Sequence, residues 1–222
     1  CNKISMNYNL KTVSANTYEI IKRDIIFGIL PPLKKLKLQE LKINYSTSIS
    51  ILREILSRLC GDGFVVSEEQ KGFRVSPVSK SDLLEIAKLR ILIESHALKL
   101  SIENSNPEWE GSLLSAHHKL SLYESEMIQN KHDDRMNWKK YDSEFHQTLV
   151  KNCGSQNLVE LHKLIFDKYL RYQLLVLTFR GSGSIEEHKK LLDYSLERNF
   201  KKAQMVLEEH IQNGIIHANK SF

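Results

Sequence analysis

The chain has 222 residues, of which 41% are hydrophobic and 27% are charged, and its formal net charge is +5 at pH 7. These fractions are ordinary for a soluble globular protein of one or two domains. No apolar run is long enough to span a bilayer, no signal-peptide pattern is present, and the three cysteines form no CxxC pair. The composition argues against a membrane protein, a disulfide-rich protein and a thiolate zinc site, and we expect a cytoplasmic location.

Cys1 stands where a starting Met would be, which suggests that the chain has been trimmed. A lipid-modified cysteine is the alternative, but the rest of the sequence is typical of an intracellular protein.

The charge is divided unevenly along the chain. Residues 1–78 contain 12 Lys and Arg against 7 Asp and Glu, whereas residues 79–222 contain 20 of each and all nine histidines. This asymmetry predicts a nucleic-acid-binding domain over 1–78 joined to a different domain over 79–222. A mildly basic domain without a nucleic-acid partner is the alternative.

The first domain shows the pattern of a winged helix-turn-helix. Apolar spacing predicts helices over residues 17–27, 38–43 and 49–60, with Gly28 ending the first and residues 29–32 extended. The third helix would turn Ile51 or Leu52, together with Ile55, Leu56 and Leu59, inward. Residues 64–66 and 73–75 are predicted to form a small β-hairpin wing.

The second domain is predicted to be entirely helical, as a bundle of six or seven helices, so the fold class is mainly α. Ser79 starts a capping pattern, and the helices are expected over residues 82–105, 107–129, 134–152, 156–179, 185–198 and 200–218. In the first of these helices, one apolar side is expected to face the core: Leu84, Ala87, Ile91, Leu98 and Ile102. Residues 181–184 are predicted to form a flexible break.

Four polar residues lie on the apolar stripes of three of these helices: Asp142, His146, His188 and His210. Asp142 and His146 are one turn apart and share a helical face, and such groups are costly to bury without partners. The pattern indicates a metal held inside the bundle, which could serve a sensor or a catalyst. Four polar groups that are each satisfied separately are the alternative.

The first domain resembles the GntR family of bacterial transcription regulators over about residues 15–78. The matching segments are residues 25–32, 38–41, 48–56, 59–65 and 71–75. The resemblance implies that the helix starting near Ser48 enters the major groove and that the wing tip approaches the minor groove. The DNA-binding residues implied in this way are Gln39, Ser48, Ile49, Ser50, Arg53, Lys71 and Gly72.

This chain departs from the family pattern at several of these positions. Gln39 and Ile49 stand where the family usually has arginines, Ile51 replaces a common proline, and Leu33 replaces a glycine. Gln39 can read adenine and Ile49 can touch a thymine methyl, so the operator sequence is expected to differ. A winged helix that binds DNA weakly or not at all is the alternative.

Residues 80–218 resemble the FCD ligand-binding domain of the FadR-like branch of the same family. The matching segments are residues 90–94, 142–146, 154–157, 187–188 and 209–210. The resemblance implies a divalent metal, zinc or nickel, at the four polar positions, with a small organic acid completing the coordination. Imidazole and carboxylate donors suit such ions.

The same resemblance implies that Arg90 and Asn157 contact the effector. A guanidinium suits a carboxylate, but Arg90 could instead pair with Glu94 one turn later. Asn157 could instead be an ordinary helix cap.

Together these features predict a DNA-binding transcriptional regulator, not an enzyme. We expect a homodimer on double-stranded operator DNA, a small carboxylate effector at the metal, and no membrane partner. The same regulator with a purely structural metal is the alternative. A metal-dependent enzyme is disfavoured, because no general base accompanies the ligands and the basic domain would be unexplained.

Overall fold

The computed structural model describes residues 13–129, 135–176 and 179–218. These residues divide into two compact units, Cys1–Pro77 and Val78–Phe222. Of the sequence-based expectations, Cys1 and the predicted helix start at Asp134 lie outside the described residues.

The first unit packs three helices against a small antiparallel sheet. The helices are α1 (Val13–Ile26), α2 (Leu38–Asn44) and α3 (Ile49–Gly61), and the strands are β1 (Lys35–Leu36), β2 (Val65–Glu68) and β3 (Gly72–Val75). The strand order is β1-β3-β2. β1 was not predicted, because two residues are too few to show a period-2 alternation.

α3 begins as the sequence indicates. The Oγ of Ser48 accepts a hydrogen bond of 3.2 Å from the backbone N–H of Ile51, which satisfies one of the free donors of the first turn. Of the two candidates for the first inward position, Leu52 is fully buried and Ile51 only half-buried.

Residues 29–32 were predicted to be extended, but the segment after α1 forms a turn instead. The backbone N–H of Lys34 donates to the carbonyl of Pro31, and Leu33 adopts a φ of 66° inside that turn. A left-handed φ favours glycine, and Leu33 is the position where the resembling family has one.

The second unit contains six helices within the described residues and no strand there. They are α4 (Lys80–Glu103), α5 (Pro107–Ile128), α6 (Arg135–Val150), α7 (Gln156–Val176), α8 (Ser182–Leu196) and α9 (Phe200–Ala218). α4 packs on α7 and α9, α5 packs on α6 and α8, and α8 packs on α9. No described helix is long and apolar enough to cross a bilayer.

Two predictions for this unit were wrong in detail. Leu84 is 36% exposed and Leu83 takes its place in the core, because the buried side of α4 continues through the polar residues Arg90 and Glu94. The predicted break at 181–184 is shorter, since Ser182–Ser184 form the first turn of α8 and only Gly181, with a φ of 69°, precedes it.

Candidate metal centre

Four side chains from three helices meet in the interior of the second unit. Asp142 and His146 come from α6, His188 from α8 and His210 from α9, and all four are buried. One potential ligand atom from each lies within 4.8 Å of those of the others. The Nε2 of His188 is 3.4 Å from the Oδ1 of Asp142, and that of His146 is 4.0 Å away. The fold therefore brings together the whole set that the spacing indicated.

Each of the three imidazoles is held from behind by a glutamate. The Nδ1 of His146 lies 2.5 Å from Glu94, and the Nδ1 of His188 lies 2.7 Å from Glu124. The Nδ1 of His210 lies 2.8 Å from Glu187. Since an ionised carboxylate only accepts hydrogen bonds, each Nδ1 carries the proton. In the neutral form of each ring, Nε2 is thereby left to offer a lone pair toward the centre, as in carboxylate–histidine–metal arrangements.

Two of these Nε2 atoms have no hydrogen-bond partner among the described residues. They belong to His146 and His188, both fully enclosed. Leaving a buried polar atom unsatisfied costs about 1–3 kcal/mol. Imidazole nitrogens without partners beside a carboxylate suit a divalent metal ion, so the residues present fit such an ion.

The electrostatics of three of the four groups, His146, His210 and Asp142, suit a cation. Burial lowers the pKa of His146 to about 4 and holds that of His210 well below its usual range. Burial raises the pKa of Asp142, but Lys139 and the nearby imidazoles outweigh it and keep the carboxyl ionised. Burial alone would lower the pKa of His188, whereas the carboxylates of Asp142 and Glu124 raise it to about 9. A metal ion bound here would therefore displace a proton from this imidazole.

A narrow pocket opens onto one side of this centre. Two cations contribute to its wall: Lys139 and Arg180. The Nζ of Lys139 lies 3.3 Å from the Oδ2 of Asp142 and 2.9 Å from the Oε1 of Gln173. Arg180 pairs with Glu187 at 2.6 Å. No motif in the sequence marks these residues, and only the packing of α6, α7 and the segment before α8 places them here.

Arg90 is buried beside the centre without lining the pocket. Its Nε lies 2.7 Å from Glu94, and its Nη2 lies 3.1 Å from the Nδ1 of His146. The guanidinium stacks over the rings of Phe166 and Tyr169. The intrahelical pair with Glu94, which the sequence left open, is therefore present.

Asn157 is not among the residues that line this pocket. It is exposed in the first turn of α7, where the Oγ of Ser155 accepts the capping hydrogen bond from Leu158. Gln173, the α7 residue that lines the pocket, is 16 residues further along, or about 24 Å of helix. Ser155, and not Asn157, therefore caps α7, and the contact of Asn157 with an effector stays a prediction.

In the first unit, the residues predicted to contact DNA are all at least partly exposed to solvent. Ile49 is half-buried, and the others are exposed: Gln39, Ser48, Ser50, Arg53, Lys71 and Gly72. Lys71 lies in the turn between β2 and β3, and Gly72, with a φ of 88°, begins β3. The start of α3 and the hairpin tip are thus both free to approach a ligand.

Comparison with known proteins assigns both units to families. Residues 13–75 match the family model described as bacterial regulatory proteins, gntR family, and residues 85–213 match that of the FCD domain.

Two transcription regulators align with the chain over most of their length. The chain is 31% identical over 205 residues to the HTH-type transcriptional repressor GlaR of Escherichia coli (strain K12), covering 89% of this chain and 92% of that protein. It is 30% identical over 211 residues to the uncharacterized HTH-type transcriptional regulator BphR of Paraburkholderia xenovorans (strain LB400), covering 93% and 85%. A solved structure of E. coli McbR/YncC has the same fold, with a TM-score of 0.80 at 21% identity over 94% of this chain and 98% of that chain.

Proposed function

We propose, for a chain that belongs to the gntR family of bacterial regulatory proteins and carries an FCD domain, that a small carboxylate bound at a buried divalent metal controls its binding to operator DNA. Its matched relatives are transcription regulators and not enzymes. The observation that carries the proposal is the pair of orphaned Nε2 atoms, of His146 and His188, beside the ionised Asp142.

The metal would be held by Asp142, His146, His188 and His210. Three imidazoles and one carboxylate suit zinc or nickel and leave coordination positions open. When bound, the ion supplies a positive centre that attracts an anion. Glu94, Glu124 and Glu187 keep the imidazoles oriented toward it.

The effector would enter through the pocket beside the metal. Lys139 and Arg180 line that pocket and replace Arg90 as the proposed anchors, because the guanidinium of Arg90 is enclosed by Glu94 and two aromatic rings. Two cations beside a metal favour an anion. The pocket, whose lining also includes Trp138 and Ser184, is narrow and favours a small one.

A purely structural metal is the second candidate. Both pocket cations already have carboxylate partners, Lys139 with Asp142 and Arg180 with Glu187. In that case the ion would stabilise the bundle, and no carboxylate would shift DNA binding.

Operator DNA would be bound by two copies of the winged helix, one on each half-site. Each copy would place the start of α3, including Ser48, Ile49, Ser50 and Arg53, in the major groove. Gln39 and the hairpin tip, Lys71 and Gly72, would add flanking contacts.

The helix α7, which lines the pocket at Gln173, is hydrogen-bonded to the start of α4. Tyr172, next to the pocket residue Gln173, accepts a hydrogen bond from the backbone N–H of Ser79 and donates one to Asp82. Ser79 caps α4 directly after the linker at Val78. A change in the pocket wall can therefore reach the residues that follow the DNA-binding unit.

The metal is tested by elemental analysis of protein purified without added metal. We expect about one equivalent, and less than about a tenth of an equivalent in the His146→Ala and His188→Ala variants, which lack a ligand. His118→Ala, which removes an exposed histidine of α5, is the control and should retain the metal. A wild-type protein without metal after gentle purification would contradict the assignment.

The effector is tested by a thermal-shift screen of small carboxylic acids with and without a chelator. Stabilisation that disappears with the chelator supports metal-assisted binding. Metal-dependent stability with no response to any acid would favour the structural metal instead.

DNA binding is tested on the DNA upstream of the protein's own gene. Affinity should fall steeply with salt. Arg53→Ala should weaken it by about 1–3 kcal/mol, as expected for one arginine contact. Lys190→Ala removes an exposed positive charge from α8 and should change it little. If Arg53→Ala binds like the wild type, the assignment of α3 is wrong.

A further inference from the structure

The outer side of α4 exposes apolar side chains that are not buried in the core of the bundle. Leu92 is 67% exposed and Leu89 is 45% exposed, on the stripe that also carries Glu85, His96 and Lys99. A single exposed leucine on a charged helical face is ordinary by itself. Leu92 differs because it lies beside a groove and between charges that complement each other.

A groove runs beside this stripe, between α4 and α9. Its lining includes the apolar Ile91 and Phe200, the small Ser95, and the charged Lys88 and Glu208. Ser95 is only 7% exposed, and its Oγ has no hydrogen-bond partner among the described residues. A small side chain at this point leaves a hollow that a larger residue would fill.

The order of charges along α4 is complementary to itself. If two copies of the helix lie antiparallel and cross at Leu92, each residue faces the one equally far on the other side of Leu92. Glu85 then faces Lys99 of the partner subunit, and Leu89 faces the hollow at Ser95 of the partner subunit. A parallel arrangement would instead oppose Glu85 to its own copy and Lys99 to its own copy, which is unfavourable.

We propose that this α4 face binds a second copy of the chain across a two-fold axis at Leu92. The two Leu92 side chains form the centre of the contact, each Leu89 enters the groove of the partner subunit, and two Glu85–Lys99 pairs flank them. An isologous contact of this kind is self-complementary by symmetry, and an apolar centre with a charged rim is usual for interfaces. The inference rests on the homodimer in the proposed function and names its surface.

The first test is the mass of the whole chain by sedimentation equilibrium, over a range of concentrations and without DNA. The wild type should be a dimer. Leu92→Glu places two carboxylates on the axis and should weaken the dimer at least about 100-fold, since central apolar anchors contribute most to such contacts. Leu122→Glu, at an exposed leucine of α5, is the matched control and should remain dimeric.

A charge reversal separates the contact from a folding defect. Glu85→Lys and Lys99→Glu should each weaken the dimer about tenfold, because each creates two like-charge contacts across the axis. The double variant restores both pairs and should dimerise within a few-fold of the wild type. A failure of the double variant to recover would overturn the antiparallel register.

The outcomes distinguish a failure of the proposed α4 contact from a failure of the proposed function. A dimeric Leu92→Glu protein would overturn the α4 face alone. A monomeric wild type would overturn both the face and the proposed dimer, and the groove would then be open to another occupant. Metal content and effector binding are measured separately and depend on neither result.

Discussion

At the scale of single residues, the centre depends on side chains that the ligand motif does not contain. Asp142 and His146 were predicted from their spacing of one turn. Glu124 comes from α5, is fully buried, and orients His188 from the side opposite to Asp142. Its second oxygen has no hydrogen-bond partner among the described residues, so its main polar contact is the imidazole.

Glu124→Gln should weaken metal binding by about 10–100-fold, the usual effect of removing an orienting carboxylate. The amide keeps the shape of the side chain but provides less charge to hold the Nδ1–H of His188. Competition with a chelating dye measures the affinity. Glu126→Gln, on an exposed position of the same helix, should leave it unchanged, and equal affinities in both variants would argue against the orienting role.

At the scale of helices, the close approach of α7 and α9 depends on one glycine. A Cβ at Gly214 would lie 2.4 Å from the hydroxyl oxygen of Tyr169, which itself donates to the carbonyl of Ile211. Gly214 also lines the pocket beside His210. The spacing between these two helices, and with it the width of the pocket, is therefore set by the absence of a side chain.

Gly214→Ala should lower the free energy of unfolding by about 1–3 kcal/mol, because the tyrosine must move and overpacking has costs of that size. Urea denaturation measures the change. Gly111→Ala is the matched control in α5, where a Cβ meets nothing within 4 Å. There the alanine should raise the free energy of unfolding by about 0.5–1 kcal/mol. Destabilisation of the same size at both positions would show that the Tyr169 contact is not the cause.

At the scale of the whole molecule, the chain combines a basic winged helix with a neutral bundle that contains all the histidines. Membership in the family explains that combination. Tyr172, the chain neighbour of the pocket residue Gln173, connects α7 to the start of α4 through hydrogen bonds with Ser79 and Asp82. Binding at one site influences another only when the ligand favours one arrangement over the other, and this connection is a place where such a preference can act.

Tyr172→Phe should reduce the effect of the carboxylate on DNA affinity while leaving metal content and effector-free DNA binding close to wild type. The variant removes the hydroxyl that joins α7 to Ser79 and Asp82 and keeps the ring. Fluorescence anisotropy of labelled operator, with and without the acid, measures the difference. Tyr194→Phe removes a hydroxyl from α8 as a control. An undiminished response in Tyr172→Phe would exclude this connection as the route.

The sequence by itself determined the kinds of element and the four residues at the centre, because caps, turn residues and apolar spacing act over a few residues. Ser48, Ser79 and Gly154 mark helix boundaries in that local way, and the spacing of Asp142 and His146 places them on one face. The winged helix-turn-helix followed by an all-helical bundle was predicted on this basis and is confirmed.

Only the tertiary structure decided which groups surround that centre. Glu124, Lys139 and Arg180 lie far from their partners in sequence or carry no distinctive spacing, so their roles follow from how α5, α6 and α8 pack. The buried side of α4 was also misjudged at Leu84, because Arg90 and Glu94 occupy core positions that apolar periodicity assigns to hydrophobic residues. A charged side chain can be buried only where an oppositely charged partner meets it, and that partner's position follows from how the helices pack.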